Sequence, residues 1–390
     1  MSASAGHPLS RGYRRARREC DVQRMRTNMK HAATVASVRA LCALGLPGEQ
    51  LIPALLEALH RAIPSSRNLF DWTDEQGRLV RYFFEGPIDA EIARHYFESF
   101  YNQAGEIEAM GSFQDTVTGR ASIRSAAELD SATFFRSALY NEIWRPQGLH
   151  SRVEAIVKDV HGRPLGSLVL YREKGDPPFT QAEERLLADL TPYIARALTV
   201  DNVMSLDFVA RRERRAVLNL AGDGALLHLS QDAHKMLLLS HGGITPESAG
   251  RVPSVADFGT LQLLADQIHR HERASRHQVA LTVDNAWGRF VFEAEPLAAA
   301  TEGAPGAIHV SIQHQEPRAV AWRRALSGLN LSIAQTEVCA LMRAGYTQRQ
   351  IAAALSIAPN TVSDHVRKIY TRLDVHSVRE LCIRVDELVV

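Results

Sequence analysis

The stretch from Leu331 to Leu381 constrains this chain most, because three short amphipathic helical patterns follow one another there with almost no linker. Two of the predicted helices open with a capping box, in which a Ser or Thr and a Gln three residues later satisfy free N–H groups of the first turn: Ser332 with Gln335, and Thr347 with Gln350. Gly345 is placed to end the first helix, since glycine takes the left-handed conformation at low cost. The segment is therefore predicted to be a compact helical unit.

The third predicted helix runs from Pro359 to about Leu373. Proline is favoured in a first turn, where its missing N–H costs nothing. The residues of one stripe are apolar and predict the buried side: Val362, Val366, Ile369 and Leu373. The opposite side is polar or basic: Thr361, Ser363, Asp364, Arg367 and Lys368. Two helices joined by a tight turn, the second of them polar and basic, indicate a helix-turn-helix.

This segment resembles the LuxR-type DNA-binding domain, a four-helix helix-turn-helix module of bacterial transcription regulators. The residues that carry the resemblance are Leu331, Glu337, Val338, Gly345, Ile351, Ala352, Leu355, Ile357, Pro359, Asn360, Thr361, Val362, His365, Val366, Ile369, Leu373 and Val375. The alternative is an ordinary helical core with accidental similarity. Two residues depart from the family pattern. Ala358 replaces a capping Ser, which costs about 1 kcal/mol, and Asp374 replaces a Gly.

The resemblance implies that Ser363, Asp364 and Arg367 face the base edges of the major groove, where Arg pairs with guanine and Asp accepts from cytosine. Asp364 has a second interpretation, as a partner of the helix N-terminus, Arg367 or Lys368. Five further candidates are expected to position the domain on the phosphates: Gln348, Arg349, Thr361, Lys368 and Arg372. Asn360 and His365 complete the candidate DNA-binding residues, and His365 has either a half-buried packing role or a phosphate role.

A fourth helix is predicted from about Ser377 to Leu388, with an apolar stripe of Leu381, Val385 and Leu388. In the family this helix forms the dimer contact, although packing in the monomer core would also explain Leu381. A homodimer is expected if the operator is two-fold symmetric.

The composition allows this interpretation without demanding it. A length of 390 residues predicts two or three domains, and 45% hydrophobic with 23% charged residues is ordinary for a globular protein. The net charge is +1, but from Arg323 onward nine Lys or Arg stand against six Asp or Glu, which suits a domain with one phosphate-binding face. No apolar run is long enough to span a membrane. Four cysteines without metal-ligand spacing or a secretory signal indicate reduced thiols in a cytoplasm.

Upstream, helical and hairpin patterns alternate, so the predicted fold is multidomain, with α+β sensor domains before the all-α tetrahelical helix-turn-helix domain. Residues 1–30 are predicted to be a disordered basic leader, 31–200 a GAF-like sensor domain, 201–317 a PAS-like α+β domain and 318–390 the DNA-binding domain. The GAF likeness rests on a closing hairpin, a turn and a long terminal helix. The PAS likeness rests on the order of two strands, helices and three strands, with an unspecified α+β domain as the alternative.

Four local interpretations complete the picture. They are a loop-rich segment over 113–129, one helix over 131–144, a solvated helix end or linker at the charge run 211–215, and a connection to the DNA-binding domain over 315–328.

Aromatic residues concentrate in the first sensor region, as either an apolar ligand pocket or an ordinary core would produce. The candidate pocket residues are Trp72, Tyr82, Phe84, Tyr101 and Trp144. The sequence has no Walker loop, HExxH, GxSxG or CxxC pair. No catalytic residue, cofactor or metal site is therefore predicted.

The predicted function is a cytoplasmic bacterial DNA-binding transcription regulator, controlled by a signal or ligand in its sensor region. The expected partners are double-stranded DNA and a second copy of the chain. A small-molecule ligand and RNA polymerase are further candidates, and a membrane is not. One alternative is a sensory signalling enzyme or interaction module whose C-terminal helices do not bind DNA. A sigma-factor-like promoter reader is another, against which the strand-rich middle argues.

Overall fold

The computed structural model describes residues 34–199, 207–222, 224–271, 278–299 and 306–389. The predicted leader, residues 1–30, lies outside the described residues. His277 and Asp223, both within the predicted PAS-like region, lie outside them too. Within the described ranges, no helix is long and apolar enough to cross a membrane.

The first sheet has five antiparallel strands in the order β2-β1-β5-β4-β3. These strands are β1 (Arg67–Thr73), β2 (Leu79–Phe84), β3 (Ile123–Arg124), β4 (Ser151–Lys158) and β5 (Pro164–Arg172). Helical residues 34–42 and α1 (Gly48–Leu59) precede the sheet, and α7 (Gln181–Thr199) follows it. Both predicted hairpins of this region are confirmed.

Strand alternation gives the first sheet two different faces. One face packs against α1 and α7 through buried apolar residues: Phe70, Val153, Ala155, Leu168 and Leu170. The other face mixes aromatic, aliphatic and ionisable residues: Leu69, Asp71, Tyr82, Phe84, Arg152, Glu154, Val169 and Tyr171. The register sets Asp71 opposite Tyr82, and Arg152 opposite Tyr171.

Short helices and turns lie between β2 and β4, and several of them cover this second face. They are α2 (Ala90–Ser99), α3 (Ala104–Met110), α4 (Phe113–Thr118), α5 (Ala126–Leu129), α6 (Ala132–Arg136), a π-helix (Tyr140–Trp144) and a 3-10 turn (Arg145–Gln147). The prediction of loop over 113–129 is therefore wrong. The prediction of one helix over 131–144 is also wrong, because Ser137 is extended (φ −68°, ψ 154°) and its hydroxyl accepts from the N–H of Tyr140 at 3.1 Å.

The second sheet has the strand order β7-β6-β10-β9-β8 and is also antiparallel. Its strands are β6 (Phe208–Ala221), β7 (Leu226–Leu229), β8 (Val279–Asn285), β9 (Gly288–Leu297) and β10 (Ala307–Pro317). The helical elements between β7 and β8 are α8 (Ala233–Ser240), α9 (Pro246–Ala249), a 3-10 turn (Val255–Asp257) and α10 (Gly259–His271).

The charge run over 211–215 lies inside β6, so its interpretation as a helix end or linker is wrong. Arg215 pairs with Gln313 of β10 in the ladder. The Arg211 guanidinium binds Glu57 of α1 at 2.8 Å and Glu213 at 3.0 Å. Partners distant in the chain therefore satisfy a charge that local sequence assigns to solvent.

The two sheets share one continuous core. Trp287 of the second sheet contacts Trp72 and Phe83 of the first, with ring centroids 5.6 and 5.8 Å apart. The N–H of Tyr82 donates to the carbonyl of Ile244 at 2.9 Å. The sensor region is thus tightly joined across its two halves.

The C-terminal unit has five helices: α11 (Arg318–Gly328), α12 (Ile333–Arg343), α13 (Gln348–Leu355), α14 (Pro359–Leu373) and α15 (Val378–Asp386). Helix α11 begins at the residue after β10 ends, so the predicted connection over 315–328 is the end of a strand and a helix. Trp322 and Leu326 of α11 are buried in the helical core, together with Val209 of β6. The predicted order, antiparallel sheet domains followed by a helical domain, is confirmed; the GAF and PAS labels and the domain boundaries stay predictions.

Candidate nucleic-acid interface and sensor cavity

Local chemistry sets the ends of the helices that carry the interface. Both predicted capping boxes form, with Gln335 and Gln350 each accepting a backbone N–H at 2.8 Å. Gly345 follows α12 in the left-handed conformation (φ 82°), as predicted. Ser356 ends α13 with φ 54°, which turns the chain toward α14.

Helix α14 spans Pro359–Leu373, the predicted range. Ala358 occupies its N-cap and provides no side-chain hydrogen bond, so the missing cap is a real departure. Asp374 ends the helix in the left-handed conformation (φ 52°, ψ 53°) that glycine adopts more cheaply. The predicted stripe of Val362, Val366, Ile369 and Leu373 is buried.

The polar face of α14 is exposed at all of the positions predicted for it. Arg367 binds the Asp364 carboxylate at 2.8 Å, with side-chain exposures of 74% and 58%. Such an exposed pair stabilises by only about 0–1 kcal/mol, so little holds Arg367 in this position. The Ser363 hydroxyl donates to Gln348 of α13 at 2.9 Å, which brings predicted residues of both helices together.

The remaining predicted positions have different surroundings. Arg349, Asn360, Thr361 and Lys368 are exposed. His365 is half-buried, and its Nδ1 atom is buried without a hydrogen-bond partner among the described residues. The guanidinium of Arg372 donates to the carbonyl of Asn330, so in this structure it also fastens the α11–α12 connection.

Apolar residues of α15 and of the turn after it, which contains Leu388, lie in two different environments. Leu381 and Val385 are fully buried in the core of their own domain. Ile383 and Leu388 are 50% and 49% exposed. Ile383 was missed in the sequence because its position lies off the predicted stripe.

A cavity of about 170 Å³ lies between the second face of the first sheet and its short helices. Four of the predicted pocket residues line it: Tyr82, Phe84, Tyr101 and Trp144. Trp72 does not, because it alternates with Asp71 along β1 and so points to the opposite face, toward Trp287.

The cavity also contacts ionisable residues that the sequence interpretation missed: Asp71, Arg152 and Glu154. Burial raises the pKa of Asp71 to about 8, against the hydrogen bond from Ser167. Burial also raises the pKa of Glu154, although Arg124 and Arg152 oppose this. The available signal was the spacing of Arg152 and Glu154, two residues apart in an apolar strand, which puts both on one face.

A model of the family described as bacterial regulatory proteins, luxR family, matches residues 329–385. No curated protein matches the chain. Similar solved structures include phage VqmA with DPO (18% identity, 45% of this chain, 84% of that chain, TM-score 0.19). A second is the Vibrio cholerae VqmA dimer without target DNA (16% identity, 44% of this chain, 81% of that chain, TM-score 0.19). A third is the Escherichia coli DhaR(N)–DhaL complex (15% identity, 73% of this chain, 89% of that chain, TM-score 0.23).

These TM-scores are too low for the structural likenesses to carry an argument, so the sensor region is interpreted from its own residues. The helical segment differs, because its family match, its capped helices and its exposed α14 face coincide. This chain therefore carries, at residues 329–385, the DNA-binding domain of the luxR family of bacterial regulatory proteins.

Proposed function

We propose that this protein is a cytoplasmic bacterial transcription regulator that binds double-stranded DNA as a homodimer and is switched by a small molecule in its first domain. The exposed polar face of α14, inside the luxR-family segment, carries the proposal. The matched family is one of regulatory proteins, and the role proposed for this chain is regulatory and not catalytic. An activating role would add RNA polymerase as a partner.

Arg367 and Ser363 read base edges in the major groove, where a guanidinium pairs with guanine O6 and N7. Arg367 leaves its exposed contact with Asp364 to do so. Lys368, Thr361, Gln348 and Arg349 position the domain on phosphates, which adds affinity without sequence information.

The homodimer forms through α15. Ile383 is 50% exposed there and Val378 is 39% exposed on the same helix, while Leu388, two residues beyond the helix, is 49% exposed. Covering these apolar side chains in a two-fold contact would place two α14 helices on one operator.

Control passes through α11. Its Arg324 binds Glu57 of α1 at 2.9 Å and Glu316 of β10 at 2.7 Å, and Glu57 also binds Arg211 of β6. Helix α11 is therefore fastened to both sensor sheets while its Trp322 belongs to the DNA-binding core. A ligand that favours one arrangement of the sensor region therefore shifts the populations of the arrangements of the two DNA-binding domains.

Genome-wide footprinting of the full chain, followed by affinity measurements on a recovered site, tests the proposal. Arg367→Ala should lose about 1–3 kcal/mol of binding and discriminate less at one base pair. Lys368→Ala should weaken binding to all DNA sequences alike and reduce the slope of log affinity against log salt concentration by about one. Arg163→Ala, at an exposed turn of the first sheet, is the matched control. Unchanged DNA binding by Arg367→Ala would instead favour a protein-interaction module.

A further inference from the structure

We infer that the cavity of the first domain binds a small single-ring carboxylate, whose charged group is recognised by Arg152. The inference rests on the proposed function, since it specifies the ligand of the proposed switch. It depends on the buried guanidinium of Arg152, whose hydrogen bonds are incomplete among the described residues.

Arg152 is only 2% exposed. Its guanidinium carbon lies 4.3 Å from the ring centroid of Trp144 and 4.7 Å from that of Phe134. One terminal nitrogen donates to the sulfur of Met110 at 3.1 Å, and sulfur is a weak acceptor. The other, Nη1, is buried and has no hydrogen-bond partner among the described residues. Because a guanidinium keeps its proton in proteins, this is a buried cation without adequate acceptors.

The acidic groups near the cavity have other partners. Each is bound within the protein: Glu154 by Arg124 at 3.5 Å, Asp71 by Ser167 at 2.9 Å, and Glu106 by Tyr96 at 2.6 Å. Asp89 accepts the N–H groups of Glu91 and Ile92 at 3.0 Å. Glu154 and Asp130 also attract the Arg152 charge. Asp71 has a raised pKa of about 8, so it is protonated at neutral pH and adds no negative charge. The cavity therefore offers a cation, and a protonated carboxyl as a second donor, to an entering acceptor.

A carboxylate is the acceptor that best matches this guanidinium. It accepts two parallel hydrogen bonds from a guanidinium, and charge-assisted bonds of this kind are about twice as strong as neutral ones. Pairing would also add to the partial compensation of the buried charge by Glu154 and Asp130, which an uncharged acceptor cannot do. Arg152 is then the residue that determines specificity for the charged group.

The size and walls of the cavity define the rest of the ligand. Its volume is about 170 Å³, and an apolar protein cavity of about 150 Å³ takes up benzene. Aromatic side chains form much of the wall, including Tyr82, Phe97 and Trp144. A single ring with one carboxylate matches this space, whereas a long acyl chain does not.

Calorimetric titration of the full-length chain with benzoate and phenylacetate, against benzamide and phenylacetamide, tests the inference. The amides have almost the same shape and no charge. Each carboxylate should bind at least about tenfold more tightly than its amide, the difference expected for hydrogen bonds to charged groups. Equal affinities, or no binding of either carboxylate, would overturn the inference.

Two variants locate the effect. Arg152→Gln should remove the preference for carboxylates while amide binding persists, which also shows that the cavity is intact. Arg163→Gln removes the same charge from the exposed end of the β4–β5 hairpin and should change nothing. A carboxylate preference that survives Arg152→Gln contradicts the assignment. If Arg152→Gln does not fold, the comparison of carboxylates with amides on the original chain decides.

A third variant tests the location independently of Arg152. Ala93 of α2 lines the cavity, and Ala93→Phe should block carboxylates and amides alike. Carboxylate binding that is unaffected by Ala93→Phe would place the ligand elsewhere and overturn the inference. These titrations contain no DNA, so loss of operator binding would count against the proposed function and not against the ligand class.

Discussion

The two sensor sheets have the same strand order and different interiors. Numbered within each domain, both run 2-1-5-4-3 and both are antiparallel. In the second domain β8 and β9 are joined by a tight turn at 285–288. In the first, residues 125–150 intervene between the corresponding strands β3 and β4, and Ile143, Trp144, Gln147 and Leu149 of this segment line the cavity. This segment adds one side to a cavity whose remaining wall outside the sheet comes mainly from residues 87–113, between β2 and β3.

The interior of the second sheet is filled by large apolar side chains. Phe290 and Phe292 are fully buried in the core that also holds residues of α8 and α10, and Trp287 packs against Trp72 and Phe83 of the first domain. The buried His314 of the second sheet stacks on Phe290 at 4.3 Å and binds the carbonyl of Trp287 at 2.8 Å. The first sheet instead holds Asp71, Arg152 and Glu154 on its cavity face. Packing is therefore the role of the second sheet, and recognition is the role we propose for the first.

Matched phenylalanine truncations test this contrast most strongly. Phe292→Ala should lower the free energy of unfolding by about 3–5 kcal/mol, because it leaves an empty space in a packed core. Phe84→Ala should lower it by about 1–2 kcal/mol less, because its ring already lines a cavity and the added space can be hydrated. Urea unfolding followed by tryptophan fluorescence measures both. Equal losses would show that the two interiors are packed alike.

The DNA-binding domain was predictable almost to the residue, and the cavity was not, for physical reasons. Helix α14 spans the predicted range because Pro359, the preceding tight turn and a regular apolar stripe are local signals. The hairpins of the first sheet were predictable in the same way. In contrast, the partner of Arg211 is Glu57, 154 residues away, so no local pattern could place that charge run in a strand.

The cavity depends on distant contacts of the same kind. The interruption at Ser137 separates Phe134 from Trp144, and both rings then stack on Arg152. Whether Trp72 or Asp71 faces the cavity is decided by the pairing of β1 with β2 and β5, which the sequence leaves open. Aromatic composition alone therefore identified the region and misplaced one of its residues.

Buried titratable groups give the two sheets opposite pH dependences. The pKa of Asp71 is raised to about 8, above its ordinary 3.8, so the folded state binds this proton more tightly than the unfolded chain. Stability from this group is full at low pH and is lost as pH rises from about 4 to 8. The pKa of His314 is lowered to about 3, mainly by burial, so its stability is lost as pH falls below 6.5.

Asp71→Asn should remove the loss of stability at high pH, which Asp71 causes, and leave the loss at low pH, which His314 causes. Between pH 6 and 8, the free energy of unfolding of the variant should rise relative to that of the original chain by at most about 1.4 kcal/mol per pH unit. This relative rise should level off above pH 8. Urea unfolding at half-unit steps of pH measures this difference. A difference that stays constant from pH 6 to 8.5 would mean that Asp71 is already ionised, and the cavity would then lack its protonated donor.

The smallest expected effect concerns the contact between the two domains. Gly250, after α9, lies against α2, which is also a cavity wall; a Cβ atom there would lie 2.8 Å from the Cα atom of Arg94. Gly250→Ala should therefore cost about 1 kcal/mol, at the low end for overpacking, because α2 lies at the surface and can shift. Gly259→Ala is the control, since a Cβ atom there meets nothing within 4 Å. If α2 transmits the state of the cavity to the second domain, Gly250→Ala should also change the affinity for benzoate, and Gly259→Ala should not. An identical benzoate affinity in both variants would mean that the two domains are coupled elsewhere, for example through Arg324 and Glu57.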